Sequence, residues 1–278
     1  MNRILVSLLG LFWILSGCAT TNGGQSPRIL AHSKYVAMGS SFAAGAGIGP
    51  IQTGSPERCS RTVNNYASLV ASALKLDLVD VSCSGASTDH ILGNWNELPP
   101  QIESVGPDTR LVTVTIGGND LRYVGWLFAS SCRLGVSAYP GPCRDVLAPS
   151  DADYLRLEEQ LQKMATEIRR RAPQARVFFV QYVTLLSDPT CPLEIIASED
   201  AIVGRQIASR LASITAQVAR ANGIYTIQAD IASRSHTPCA AEPWSNGLSK
   251  GYDTKNGAPW HPNAAGHEAI SQMLIKSM

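Results

Sequence analysis

The chain has 278 residues, with 23 basic against 22 acidic side chains and a formal net charge of +1. Near-neutrality without a Lys/Arg run excludes the concentrated basic face that a nucleic-acid partner requires. Beyond an export segment, roughly 250 residues suit one domain with a continuous apolar core.

The chain opens with Arg3, an apolar run over residues 4–14, and Leu15-Ser16-Gly17-Cys18, which together read as an export signal. The tetrapeptide resembles a lipobox, which implies cleavage before Cys18, diacylglycerol on its thiol and stable membrane anchorage. An ordinary cleaved signal with an incidental cysteine, or a short membrane anchor, is the alternative, although the run is short for a membrane span. Residues 20–27 are rich in Thr, Gly, Ser and Asn and read as a flexible tether. The expected division is a signal over 1–17, a lipid-anchored linker over 18–32 and one domain over 33–278. The expected location is the cell envelope. Ala19 lacks the aspartate that retains lipoproteins at the inner membrane of enteric bacteria, so in a host with two membranes the outer one is favoured.

Seven cysteines are present. Setting Cys18 aside leaves Cys59, Cys83, Cys132, Cys143, Cys191 and Cys239, an even set in an exported chain, which reads as disulfides of undetermined pairing. No CxxC pair and no HExxH occurs, so no metal is expected.

Short apolar, β-branched or aromatic runs at 35–38, 78–82, 111–116, 176–181 and 224–228 predict five buried strands. Helical stripes lie between them: Tyr66, Leu69, Val70, Ala73 and Leu74; then Leu157, Leu161, Met164 and Ile168; then Ile207, Leu211, Ile214 and Val218. Pro173 ends the second of these helices near Ala172, and Asn222-Gly223 ends the third as a left-handed stop. Alternating strand and helix predict an α/β fold with a mainly parallel sheet covered by helices on both faces. In such a sheet, chemistry gathers beyond the carboxyl ends of the strands.

Four segments at those ends carry polar residues and glycines. The first strand runs into Gly39-Ser40-Ser41-Phe42, a tight turn that projects a serine hydroxyl and its own N–H at the sheet edge. Cys83-Ser84-Gly85-Ala86-Ser87 follows the second strand, Gly117-Gly118-Asn119-Asp120 the third, and His261-Pro262-Asn263 precedes the last helix. Singly, each has an ordinary structural reading: Gly85 a turn, Asn119 a cap for a helix starting near Asp120, and His261 a surface residue before a helix whose first turn holds Pro262. In this order they resemble the SGNH/GDSL hydrolase family, in its secreted, disulfide-bearing esterase/lipase branch. Ser41, Gly85, Asn119 and His261 fall on the four family positions, and the segments 59–65 and 239–247 fit the branch.

The resemblance implies a three-layer, flavodoxin-like α/β/α sandwich and cysteines paired as neighbours in chain order. It also implies a serine ester hydrolase that needs no cofactor. Ser41 would attack an ester carbonyl, with His261 as base and then acid. The resulting oxyanion would be met by the Ser41 and Gly85 N–H groups and the Asn119 amide.

Two positions depart from the family pattern. Ser40 stands where an aspartate is usual; the register from Gly39 favours Ser41 as nucleophile and leaves Ser40 as a structural hydrogen-bond partner. Ala258 stands where the third triad member, an aspartate, is usual. The carbonyl of Ala258, Pro259 or Trp260 is then expected to orient His261, with Asp253 as the side-chain alternative. His32, His90, His236 and His267 receive no role.

The substrate is expected to be a small-molecule or lipid ester, handled by a monomer. The stretch 123–128 is either an acyl wall or a buried helix face, and Trp244 and Trp260 are candidates for the pocket rim. Acyl transfer at the same site, and a binding lipoprotein that has lost activity, are the competing functions.

Overall fold

Each apolar run forms a strand: β1 (Lys34–Gly39), β2 (Asp77–Asp80), β3 (Thr109–Thr115), β4 (Arg176–Val180) and β5 (Tyr225–Ile227). The computed structural model describes residues 29–278. The export signal, Cys18 and the tether lie outside the described residues. Of the expected linker, residues 29–32 are tied to the domain: Ile29 packs on the core, and the His32 N–H donates to the Lys75 carbonyl at 2.7 Å.

The strands form one sheet in the order β2-β1-β3-β4-β5, and every pairing is parallel. Two strands differ from the expectation of full burial. β2 and β5 are the edges, where one side of a strand has no neighbour, so Val79 and Tyr225 are exposed. The pairing of β2 also runs on past Asp80, with the Val81 N–H on the Ala37 carbonyl and the Cys83 N–H on the Gly39 carbonyl.

The connections are helical: α1 (Ser41–Ala44), α2 (Tyr66–Leu74), α3 (Thr88–Leu92), α4 (Tyr123–Arg133), α5 (Asp151–Arg171), α6 (Ser198–Ala221), α7 (Ala229–Ala232) and α8 (Ala264–Lys276). α2 packs on α8, while α3, α5, α6 and α4 pack successively on one another, which completes a three-layer α/β/α sandwich. The apolar stripes bury as their spacing requires, with Leu157, Leu161, Met164 and Ile168 in α5 all at 1% exposure or less. At about 25 cal/mol per Å² of apolar area, such side chains contribute roughly 1.5–3 kcal/mol each. On α2 the stripe is displaced: Ala73 is exposed and Ala71 is buried, because the helix turns its Ala67–Ala71 side to the core.

Helix ends follow local chemistry. Ser150 and Asp153 form a reciprocal capping box at the start of α5, which stops at Arg171 ahead of Pro173. Gly223 takes a left-handed φ of 60° after α6. Pro262 precedes α8 rather than entering its first turn, because the Asn263 side chain caps that helix by accepting the Gly266 N–H at 3.0 Å.

Strand order reverses between β1 and β3. In sheets of this kind, loops after the strands on either side of such a reversal diverge and leave a crevice at the carboxyl edge.

Candidate active site

The turn after β1 is built to hold a fixed shape. Gly39 has a φ of 142°, and a Cβ there would lie 2.3 Å from the Thr115 carbonyl oxygen, so only glycine fits. The buried Gln101 grips its backbone from both sides: the Gly39 N–H donates to Oε1 at 2.7 Å, and Nε2 donates to the Gly39 carbonyl at 3.1 Å. Ser40 N–H donates to the Thr115 carbonyl at 2.9 Å. Ser41 then opens the four-residue α1, so its N–H has no helical acceptor.

The two serines face different surroundings. Ser40 is 1% exposed, and its Oγ lies 3.1 Å from the Tyr182 hydroxyl. Ser41 is partly exposed, and its Oγ lies 2.8 Å from Nε2 of His261. Only Ser41 combines access with a basic nitrogen.

His261 is 7% exposed and makes two ring hydrogen bonds. Nδ1 donates to the Pro259 carbonyl at 2.8 Å. A carbonyl can only accept, so Nδ1 carries the proton and Nε2 presents its lone pair to the Ser41 hydroxyl. Burial disfavours the imidazolium and lowers the His261 pKa to about 4, with the Pro259 hydrogen bond working against that shift. The ring is therefore neutral at pH 7. Its segment is fixed through Trp260 N–H on the Asn246 carbonyl and Asn246 N–H on the His261 carbonyl, at 3.1 and 2.9 Å.

Gly85 and Asn119 lie in the loops that follow β2 and β3. Gly85 is exposed and has a φ of 88°, and a Cβ on it would lie 3.1 Å from the Trp95 ring. Its N–H donates to no acceptor among the described residues. Asn119 does not cap a helix at Asp120. A turn intervenes before α4, and its Nδ2 donates to the Ala86 carbonyl at 2.8 Å, which leaves the second amide hydrogen free. Beside Asn119 lies a cleft of about 700 Å³ walled by Arg122, Gly125, Val146, Leu147 and Ala148.

The cysteines pair as Cys59–Cys83, Cys132–Cys143 and Cys191–Cys239. The first bond secures the loop that carries Gly85, aided by Ser84 N–H on the Cys59 carbonyl at 3.0 Å. Disulfides suit an oxidising compartment outside the cytoplasm. No cluster of His, Cys, Asp and Glu among the described residues suits a metal ion.

Other sequence candidates lie elsewhere. Trp260 is fully buried with its Nε1 on Ser131, so it is core and not rim, and Trp244 stacks on His236 at 4.1 Å. The 123–128 stretch is a helix face, with Tyr123 and Leu127 buried and Trp126 donating to the Asp200 carbonyl. Asp253 is exposed and caps the turn at Lys255, away from His261. His90 forms a capping box with Ser87, His267 accepts the Tyr66 N–H, His236 bonds the Glu242 carbonyl and His32 lies on Asp77. Sequence reasoning missed Gln101, Tyr182 and Asp120 as supports. Asp120 adjoins Asn119, and Tyr182 follows a strand at the same edge, so position relative to the motifs was the available signal.

The model of the GDSL-like Lipase/Acylhydrolase family matches residues 37–269. Lipase 2 of Streptomyces coelicolor is 30% identical over 249 residues, covering 86% of this chain and 83% of that protein. A lipase of Streptomyces rimosus is 28% identical over 247 residues, covering 87% of this chain and 85% of that protein. In fold, the chain is similar to the crystal structure of phospholipase A1 from Streptomyces albidoflavus, with a TM-score of 0.71, 24% identity, and coverage of 89% of this chain and all of the other. With a family match over most of its length and 30% identity to a relative matched over 83% of that protein, the chain belongs to the GDSL-like lipase/acylhydrolase family of carboxylic ester hydrolases.

Proposed function

We propose that this protein cleaves carboxylic esters through an acyl-enzyme on Ser41. The observation that carries the reading is the His261 Nε2 to Ser41 Oγ hydrogen bond of 2.8 Å, with Nδ1 already committed to a carbonyl. His261 takes the Ser41 proton as Oγ attacks the carbonyl carbon, then returns it to the leaving alkoxide. Water repeats the sequence on the acyl-enzyme and releases the acid. The developing oxyanion is met by Ser41 N–H, Gly85 N–H and the free amide hydrogen of Asn119, each worth about 100- to 1,000-fold in rate. No cofactor enters the scheme.

The exposed position of Gly85 favours hydrolysis over acyl transfer, since transfer needs water kept from the acyl-enzyme. The cleft beside Asn119, with Val146, Leu147 and Ala148 on one wall, suits an acyl or lipid ester, in keeping with relatives named as lipases. We further propose that Cys18 carries lipid and holds a monomeric domain at the cell envelope. Detergent-phase partition of the full chain beside Cys18→Ala tests this; equal partition of the two ends the anchor proposal.

Hydrolysis of p-nitrophenyl esters of graded length by the domain from about Gly24 onward tests the main reading. Ser41→Ala should abolish turnover, while Ser40→Ala, which loses only the Tyr182 contact, should slow turnover without abolishing it. A folded domain inert on every ester, or one still active as Ser41→Ala, removes the reading.

A further inference from the structure

The three oxyanion donors come from loops after three different strands, and β2 and β3, which lead to Gly85 and Asn119, lie on opposite sides of β1 and share no hydrogen bonds. Sheet pairing alone therefore does not set the spacing of the donors. Two side-chain links cross between the loops at this level.

The first link is Tyr182, from the loop after β4. Its hydroxyl accepts the Gly118 N–H at 3.0 Å and lies 3.1 Å from Ser40 Oγ. With that acceptor position taken, the phenol proton is free to serve Ser40. One hydroxyl thus joins the residue before the nucleophile to the residue before Asn119. The Tyr182 ring also packs on Phe42 at 4.2 Å, and Phe42 packs on His261 at 4.9 Å.

The second link is Asp120, from the turn after β3. Its carboxylate accepts the Thr88 N–H at 3.2 and 3.1 Å and accepts the Thr88 hydroxyl in a short contact. Thr88 is three residues past Gly85, and the Asn119 Nδ2 bond to Ala86 runs parallel to it. Asp120 is half-buried, and burial pushes its pKa up while the Thr88 bonds oppose that rise.

We propose that Tyr182 and Asp120 are positioning residues that set the oxyanion hole, Tyr182 by fixing the Ser41 turn against the Asn119 turn and Asp120 by fixing the Asn119 turn against the Gly85 loop. The proposal rests on the Ser41 mechanism above and supplies what Ser40, in place of the family's aspartate, does there: it receives a tyrosine hydroxyl. A donor displaced by about 1 Å costs on the order of 100-fold in rate while ground-state binding changes little.

The test is steady-state hydrolysis of one p-nitrophenyl ester by Tyr182→Phe, Asp120→Asn and Thr88→Val, with Thr88→Ser as the conservative control, each alone and combined with Asn119→Ala. Tyr182→Phe keeps the ring stack, and Thr88→Val keeps the fold of α3 should Asp120→Asn fail to fold. The expected result is a kcat lower by about 10- to 100-fold at unchanged KM, recovery in Thr88→Ser, and little further loss when Asp120→Asn is added to Asn119→Ala. Full kcat in both Tyr182→Phe and Thr88→Val overturns the proposal. So does a loss from Asp120→Asn that multiplies fully with that of Asn119→Ala, since that marks a role apart from the donor. Ser41→Ala run in parallel separates this failure from failure of the mechanism: only there would activity survive without the serine.

Discussion

The carbonyl oxygen of Pro259 holds Nδ1 of His261 at 2.8 Å, two residues along the same chain, so the imidazole ring is oriented by its own backbone. Ala258, at the position where a carboxylate is usual, offers no side-chain acceptor. A carbonyl fixes the tautomer as well as a carboxylate does, but it brings no charge to stabilise the imidazolium.

That arrangement sets the acid limb of activity. In the proposed mechanism catalysis needs neutral His261, whose pKa is lowered to about 4 by burial. kcat/KM should therefore persist below pH 6 and fall as pH drops through about 4. A pH–rate profile with its acid limb near the ordinary histidine value of about 6.5 would contradict this.

Stability should follow pH in the same direction. His267 is also buried, with its pKa lowered to about 3 by desolvation and by His261 nearby. Both groups bind protons more weakly folded than unfolded, so the unfolded state takes up protons first as pH falls from about 6.5. Their contribution is complete above that pH and is lost progressively down to about 4 and then about 3. Urea midpoints at pH 7, 5 and 4 should decline in that order. His267→Asn, which can still accept the Tyr66 N–H, should flatten the decline.

Gly39 admits no side chain. Gly39→Ala places a methyl 2.3 Å from the Thr115 carbonyl at a φ of 142°. Backbone in that region costs an L-residue about 1–3 kcal/mol before the clash is added. A lowered melting temperature with loss of activity is expected; a variant of unchanged stability would show that the turn can relax.

The disulfides should separate stability from activity. Their sequence separations are 48 for Cys191–Cys239, 24 for Cys59–Cys83 and 11 for Cys132–Cys143. Loop-closure entropy then ranks the cost of Cys→Ser pairs at about 4, 3.5 and 3 kcal/mol. The Cys59–Cys83 pair should reduce kcat most, because of the three disulfides it is the one attached to the Gly85 loop. Melting curves and turnover of the three double variants check both orders.

The cleft wall depends on Arg122. Its guanidinium pairs with Asp153 at 2.9 Å and donates through Nε to the Leu147 carbonyl at 3.3 Å, and it holds the Asp153 carboxyl well below the usual carboxylate range. Arg122→Met should loosen residues 145–150 and raise KM several-fold for longer acyl chains, with kcat nearly unchanged. An unaltered KM across the ester series would place the substrate elsewhere.

Much of this protein was written in local patterns. Strand runs, helix stripes, Pro173 and Asn222-Gly223 act through nearest neighbours, so they fix an alternating α/β chain with chemistry at the carboxyl edge. The order of the Ser41, Gly85, Asn119 and His261 blocks was equally legible, because each is a short motif tied to a strand or helix end. Tertiary structure decided what depends on distant residues meeting. Sheet order made β2 and β5 edges and exposed Val79 and Tyr225. Choosing among the carbonyls of 258–260 required the path of that segment, pinned by Asn246. Burying Trp260 and leaving Asp253 in solvent were packing outcomes that no local pattern encodes. The Tyr182 and Asp120 links close only in three dimensions, since each joins residues many positions apart through contacts that exist once the sheet has formed.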